Sequence, residues 1–444
     1  MADLMGKIVS LSKRRGFIYQ SSEIYGGFSS CYDFGPLGVE MKKNIKNLWW
    51  DEMTKKHENI AGLDAAILMS PKVWQASGHL TAGFADELTE CKDCKKRFRK
   101  DLVGKTCPEC EGELTPSRKF NLMMKTLVGP VEDEASQAYL RAETCQGIYM
   151  NFENVLNSMR FKIPFGIAQI GKTFRNEITP KDFIYRTREF EQMEMQWFCR
   201  PEDADIFFAK WKEKRLKWYL DLGIKKENLR AIDVPEEERA HYAKKQTDIE
   251  YRFPFGWQEI EGIHNRGDWD LSNHSKHSGE DLRYYDENPP AGGKEKYYPY
   301  VIETSGGADR SFLAFLCDAY QEIPGGRTKT TEPTKETEVL LKLDKRISPV
   351  KVIVLPLVKN KTELVKKAKE VYQAIKPYFV CQYDELGSIG RRYRRADEIG
   401  VIYSLTIDFE TLKKADVTVR DRDTMLQERI KINKLTEFLN SKIK

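Results

Sequence analysis

Four cysteines stand in two close pairs. Cys91-Lys-Asp-Cys94 and Cys107-Pro-Glu-Cys110 are separated by twelve residues, and Gly112 follows where the chain must bend. A two-residue spacing lets both sulfurs of a pair reach one ion from a tight turn, and two such pairs complete a tetrahedral thiolate shell. The pattern reads as a closed, structural Zn²⁺ site, with free or redox thiols as the alternative. Cys31, Cys145, Cys199, Cys317 and Cys381 have no partner by spacing and read as small buried hydrophobes. His264, His274 and His277 lie near Asp268 and Asp270, a set open to either a metal or a structural role. No Ser-His-Asp or Cys-His arrangement for a nucleophile is evident.

Three further segments mix Arg, carboxylates, an aromatic and paired glycines: Phe174-Arg175-Asn176-Glu177, Tyr185-Arg186-Thr187-Arg188-Glu189-Phe190, and Glu303-Thr304-Ser305-Gly306-Gly307-Ala308-Asp309-Arg310. Taken singly, each arginine is an ordinary surface residue. Together they suit a nucleoside triphosphate, with Arg for phosphate, carboxylate for Mg²⁺ and an aromatic for the base.

These segments need rigid carriers. The pattern predicts strands over 165–174 and 188–198 joined by a long polar loop. The second alternates sharply: Glu189, Glu191, Met193, Met195 and Trp197 point one way, and Phe190, Gln192, Glu194, Gln196 and Phe198 the other. The first set can pack on a core; the second is either a half-solvated face or the floor of a polar binding site. A helix is predicted over 37–57, opened by Asp33-Phe34-Gly35-Pro36, and its adjacent Trp49 and Trp50 cannot share one face, so one of them is expected to meet another domain or subunit. Further helices are predicted over 203–222 and 309–321, and a strand over 299–303. The stretch 323–349, rich in Thr, Glu, Lys, Gly and Pro, reads as a connection. Beyond it come strand 350–358, helix 363–375, strand 378–383, helix 388–398, strands 401–407 and 417–419 and helix 424–439, an α/β pattern.

At about 150 residues per domain, 444 residues suggest roughly three units. With 40% hydrophobic and 32% charged residues the chain can fill real cores, which excludes wholesale disorder. The longest apolar runs, such as Val352–Val358, fall short of the roughly 20 residues of a spanning helix. The start, Met1–Phe17, lacks an apolar signal core, and an odd count of nine cysteines points to a reducing, cytoplasmic setting. The net charge of +5 is uneven: from Pro349 onward 20 Lys+Arg face 13 Asp+Glu, which leaves the rest at −2. A basic module after a near-neutral body fits an anionic partner such as nucleic acid, or simply a solvated charged surface.

The three segments resemble the second and third signature motifs of class II aminoacyl-tRNA synthetases, and Tyr32-Asp33-Phe34-Gly35-Pro36-Leu37-Gly38-Val39-Glu40 resembles the first. The wider match is to the homodimeric type of glycyl-tRNA synthetase, through Trp74–His79, Arg141–Gly147, Phe190–Glu194, Glu261–Arg266 and Gly390–Glu398. The resemblance runs from about Tyr25 to Lys434. It implies an α+β protein: an antiparallel-sheet catalytic domain (1–348) with a zinc-knuckle insertion (88–115), then a small α/β anticodon-binding domain (349–444). The implied activity is ligation of glycine to tRNA-Gly with ATP and Mg²⁺ by a homodimer. A synthetase for another small amino acid and a non-catalytic nucleic-acid-binding paralogue are the competing readings.

Carried over by motif, Arg175 would hold the α-phosphate, Phe190 would stack on adenine and Arg310 would lie above the base and reach the γ-phosphate. Asn176, Glu177, Tyr185, Arg186, Thr187, Arg188 and Glu189 would frame the nucleotide with Ile260, Gly307, Ala308 and Asp309, and Glu259 would hold Mg²⁺. Arg99, Glu143, Phe190, Glu191, Gln192, Met193, Glu194, Glu303, Thr304, Ser305, Gly306 and Gly307 would line the glycine pocket. Arg391, Arg392, Tyr393, Arg394 and Arg395 would meet tRNA. Ala142 and Cys145 stand where the family usually has Pro and Ala, Thr304 where it has Pro, and Val401-Ile402 where it has Thr-Pro.

Overall fold

The computed structural model describes residues 2–81, 84–131, 136–179, 182–289, 292–327 and 337–443. The centre of the 323–349 connection lies outside them.

The labelled elements, in chain order, are α1 (Ala2–Arg15), α2 (Pro36–Thr54), β1 (Ile60–Gly62), β2 (Ala85–Glu90), β3 (Arg97–Arg99), β4 (Arg118–Asn121), α3 (Cys145–Met150), β5 (Phe165–Phe174), β6 (Glu189–Cys199), α4 (Ala204–Asp221), β7 (Leu229–Asp233), β8 (Lys245–Phe253), β9 (Gly256–Gly267), α5 (Trp269–Ser278), β10 (Tyr300–Gly307) and α6 (Ala308–Ala319). Strands pair in the order β7-β8-β9-β10-β6-β5-β1, antiparallel throughout except for β1 beside β5. The alternation in β6 explains the layering. Met193, Met195 and Trp197 join a buried core with Met41 and Trp49 of α2, Trp211 and Tyr219 of α4, and Phe312 and Leu316 of α6. Burying one apolar face against three helices leaves Gln192, Glu194 and Gln196 on the opposite face, as the second of the two readings of this strand requires.

α2 begins at Pro36, whose fixed φ suits a first helical turn. Gly38 lets the helix press against the preceding chain, since a Cβ there would lie 1.9 Å from the Phe17 carbonyl oxygen. Trp49 is fully buried in the core, and the Trp50 indole rests on Gly62 of β1.

Downstream come β11 (Val352–Pro356), α7 (Thr362–Ile375), β12 (Cys381–Tyr383), α8 (Ile389–Glu398), β13 (Tyr403–Ile407), β14 (Asp416–Asp421), β15 (Gln427–Lys431) and α9 (Leu435–Ile443). The sheet runs β12-β11-β13-β14-β15, parallel for the first three strands. The predicted helix over 424–439 is instead a strand followed by a shorter helix. Asp421 Oδ1 accepts the N–H groups of Asp423 and Thr424, Met425 takes φ +59°, and the turn returns Gln427–Lys431 along β14. Strand pairing outweighs the helical preference of Gln, Glu, Arg and Lys there.

The basic tail is not a loosely tethered module. Ile353, Leu355, Ala396, Ile399 and Val401 share one core cluster with Leu341, Leu343, Ile347 and Leu37. Asp397 binds both Arg327 and Arg420, and Glu398 binds Arg14 and Arg15 of α1. A second core, built on Val354, Leu364, Val371, Leu405 and Val417, closes the other side of this sheet. Among the described residues no helix is long and apolar enough to cross a membrane.

Candidate active site

The polar face of β6, β9 and β10 floors a cavity of about 410 Å³. Register does the assembly: Glu194 lies opposite Ser305, Gln196 opposite Glu303, and His264 opposite Glu303 from the other side. Three buried carboxylates meet at one end. Glu194 accepts from Ser305 Oγ (2.6 Å), Gln192 Nε2 (3.1 Å) and Thr144 Oγ1. Glu303 accepts from Gln196 Nε2 (2.9 Å) and Arg266 Nη1 (3.0 Å), and faces His264 Nδ1 at 2.8 Å. Glu143 accepts from Gln146 Nε2 (2.8 Å) and the Cys145 thiol (3.0 Å), with His79 at 3.5 Å.

Their charges differ because their neighbours differ. Burial works against ionisation of Glu143 and Glu303. It is outweighed by His79 and Arg266 at Glu143, and by Arg266 and His264 at Glu303, so both carboxyls stay below the usual carboxylate range. Burial, followed by the charges of Glu303 and Glu143, pushes Glu194 up to about 7. A bound ammonium would favour its ionised form. Ammonium affinity should therefore rise as pH passes upward through about 7: KM for an amino-acid substrate is expected to fall by up to about tenfold per unit below that point. The dependence should flatten in Glu194→Gln, and a pH-independent KM in the native protein would contradict this account.

The other end gathers arginines, aromatic rings and further carboxylates. Arg175, Glu177, Tyr185, Arg186 and Thr187 line it from the loop between β5 and β6, Phe190 from β6, and Glu259 and Arg310 from β9 and α6. The Arg175 guanidinium sits 5.5 Å from the Phe190 ring, and Arg310 lies 4.5 Å over the Tyr185 ring with Nη1 3.1 Å from Glu259 Oε2. Glu177 Oε2 is buried without a hydrogen-bond partner. Glu259 helps raise Asp248 to about 6, after burial, so carboxylates crowd where a cation would relieve them.

The cysteine pairs meet on the edge of the β3-β2-β4 sheet. Sγ of Cys91 and Cys110 are 3.5 Å apart and those of Cys94 and Cys107 3.7 Å, with no disulfide, and all four lie within 4.8 Å of one another. A tetrahedron with bonds of about 2.3 Å has edges close to these lengths, so the donor set fits Zn²⁺. None of the three histidines belongs to a possible metal cluster among the described residues; His274 meets Gln146 at 2.7 Å and His277 the Asn273 carbonyl at 2.9 Å.

A class II core family, described as "tRNA synthetase class II core domain (G, H, P, S and T)", matches residues 129–288, and an "Anticodon binding domain" matches 351–442. Three relatives named glycine--tRNA ligase are similar along almost their entire length. That of Treponema denticola is 49% identical over 99% of this chain and 97% of its own. That of Borreliella burgdorferi is 50% identical over the same shares, and that of Thermobifida fusca 48% over 100% and 98%. The chain belongs to the glycine--tRNA ligase family. Its class II core carries the pocket, and its anticodon-binding fold forms the basic tail.

Of the family positions carried over by motif, Arg175, Glu177, Tyr185, Arg186, Thr187, Phe190, Glu191, Gln192, Glu194, Glu143, Glu259, Glu303, Ser305, Gly307, Asp309 and Arg310 come together around the cavity. Others do not line it. Met193, Ile260, Thr304 and Ala308 are fully buried; strand alternation turns Met193 and Thr304 away, a bulge between Glu259 and Glu261 turns Ile260 away, and Met193, Ile260 and Ala308 sit in the core cluster. Glu189 pairs with Lys172 at 2.7 Å on the outer surface. Arg188 donates to the Ser29 and Glu177 carbonyls, and the Asn176 N–H to Leu122. Gly306 packs over Glu261, and Arg99 is held by Asp101 (2.8 Å) and Asp86 (3.3 Å). In α8, helical spacing turns Arg392 inward, where it donates to the carbonyls of Pro356, Leu357 and Asp384. Tyr393 packs against Arg420 and bonds Thr406, Arg395 binds Asp384, Arg394 is half-buried, and Arg391 is exposed.

Motif reading assigned no role to Arg266, Gln146, Tyr242 or the segment 238–240 that closes the pocket rim. Cys145 is more than filler, since its thiol donates to a pocket carboxylate and burial beside Glu143 pushes its pKa well above the ordinary value.

Proposed function

We propose that this chain activates glycine with ATP, forming glycyl-adenylate and pyrophosphate, and transfers glycine to the 3′-terminal adenosine of tRNA-Gly. The observation that carries the reading is the group of three buried carboxylates, Glu143, Glu194 and Glu303, beside an arginine-lined cleft. Glycine offers an ammonium, a carboxylate and two hydrogens, so its pocket gains by ionic recognition and by leaving no room at the α-carbon.

In this reading Glu194 receives the ammonium, helped by the negative fields of Glu143 and Glu303. Arg175 orients the carboxylate of glycine toward the α-phosphorus. Phe190 stacks on the base, and Arg310 takes the charge of the departing phosphates. Glu259, with Asp248 near it, would hold Mg²⁺, which supplies charge neutralisation when bound. Zn²⁺ would hold the 88–115 insertion together. Freshly purified protein is expected to carry about one zinc per chain, and Cys91→Ser to lose it with a lower melting temperature; metal analysis without zinc would remove this assignment.

Residues 1–348 are read as the catalytic domain and 349–444 as the tRNA-anticodon unit, of which exposed Arg391 is the best-placed contact. A homodimer is supported by exposed apolar residues near α2: Ile24 (89%), Tyr25 (86%) and Phe28 (58%). Light scattering at the monomer mass would contradict it. The setting proposed is the cytoplasm.

Amino-acid-dependent ATP–pyrophosphate exchange across the twenty amino acids tests the whole reading. Exchange with glycine alone supports it. Exchange with another amino acid would reassign the substrate, and none at all would favour a paralogue that only binds nucleic acid.

A further inference from the structure

Among the described residues Lys42 is the one buried lysine, at 5% exposure, and its two carboxylate partners, Glu191 and Asp309, line the pocket. Its Nζ lies 2.7 Å from Glu191 Oε2 and 2.5 Å from Asp309 Oδ1, and 4.0 Å over the Phe34 ring. Asp309 Oδ2 in turn accepts the Glu191 N–H at 2.8 Å, and Lys46 meets Glu191 Oε1 at 2.8 Å. Glu191 directly follows Phe190 at the start of β6, and Asp309 directly precedes Arg310 at the start of α6. One ammonium therefore ties the two backbone segments that carry the base-stacking ring and the phosphate-binding guanidinium.

We propose that Lys42 is a positioning residue for catalysis: from α2 it locks the ends of β6 and α6 together, and so fixes the spacing of Phe190 and Arg310 across the nucleotide. The Glu191 N–H brings Asp309 close, and without a cation between them the two carboxylates would repel in a low-dielectric setting. The surroundings offer little substitute. Lys46 reaches only Glu191 and Lys172 is engaged with Glu189; both line the same open groove as Lys42 and Glu191, together with Lys43 and Asp33. The burial of Glu191 is overcome by Lys42 first and Lys46 second, which hold it at about 2.

The inference rests on the pocket being the ATP site proposed above, so the first readout is ATP binding by calorimetry, which needs no glycine. Lys42→Met should weaken ATP binding by about tenfold or more at pH 8 and lower kcat of exchange, while KM for glycine stays within about twofold. At pH 6 most of the loss should return, as one carboxyl takes up a proton in place of the ammonium; a merely structural lesion has no such dependence. Lys42→Arg should recover affinity to within about threefold. Lys42→Gln, which keeps length and polarity without charge, is measured alongside, so that failure of the apolar variant to fold leaves the test standing. Unchanged ATP affinity in both neutral variants, or a loss that is equal at pH 6 and pH 8, would overturn the proposal. A native protein that binds ATP yet shows no exchange with glycine would sink the activity reading and leave the Lys42 comparison intact.

Discussion

Arg310→Ala should lower glycine-dependent pyrophosphate exchange by about a thousandfold while the protein stays folded. The guanidinium is a preorganised cation in a water-poor cleft, where removal of one such donor commonly costs about two to three orders of magnitude in kcat. Here the loss is doubled. The side chain both covers the Tyr185 ring at 4.5 Å and pairs with Glu259. Its removal takes away the cation that pairs with Glu259. The α6 helix does not depend on it, because Phe312, Leu313 and Leu316 anchor the helix in the core. Circular dichroism and the melting temperature should therefore change little. Arg310→Lys should restore only part of the rate, since an ammonium lacks the planar fork. Exchange within about tenfold of the native rate would show that the nucleotide lies elsewhere.

Arg266→Met should both unsettle the fold and empty the amino-acid end of the pocket. Arg266 is 2% exposed, grips Asp270 through two hydrogen bonds of 2.7 and 2.9 Å, donates to Glu303 and stacks 3.6 Å over Tyr242. Breaking a buried ion pair from one side strands the other charge, at a cost of about 3–5 kcal/mol. Here two carboxylates lose their guanidinium, Glu303 keeping Gln196 and His264 and Asp270 keeping Gln146, and Glu303 would then compete with Glu194 for a proton. The expected results are a clear drop in the urea midpoint and a KM for glycine raised by about an order of magnitude or more. Adding Glu303→Gln should return part of the stability without returning glycine binding. An unchanged midpoint would mean that the network is not under electrostatic load.

The legible part of this protein was local or carried by motif. The cysteine spacing was enough to predict the knuckles, and the alternation of Glu189–Phe198 was enough to separate a core face from a pocket face. That same alternation put Met193 opposite Gln192, so naming both as glycine contacts by motif conflicted with a rule already in hand. Thr304 beside Ser305 repeats the lesson. The 424–439 segment failed for a different reason. Its charged residues favour a helix when isolated, but the Asp421 turn brings them back against β14, and the ladder hydrogen bonds decide.

Sequence alone determined the family, the metal-binding pattern, the polar strand face and the arginines that suit a nucleotide, because each depends on residues close in the chain or on whole motifs. Tertiary structure decided which charges stand together. Glu143, Glu194 and Glu303 come from three distant segments, and only their packing around Arg266 and His79 sets which is ionised and which holds a proton near neutrality. Lys42 and Arg392 make the same point in opposite directions. One is an unremarked helix lysine that stands buried between Glu191 and Asp309. The other is a basic residue in a basic helix whose guanidinium is spent on carbonyls inside the fold. Burial turns charge from a surface property into a specific pairing, and burial is fixed by contacts between residues that no local pattern links.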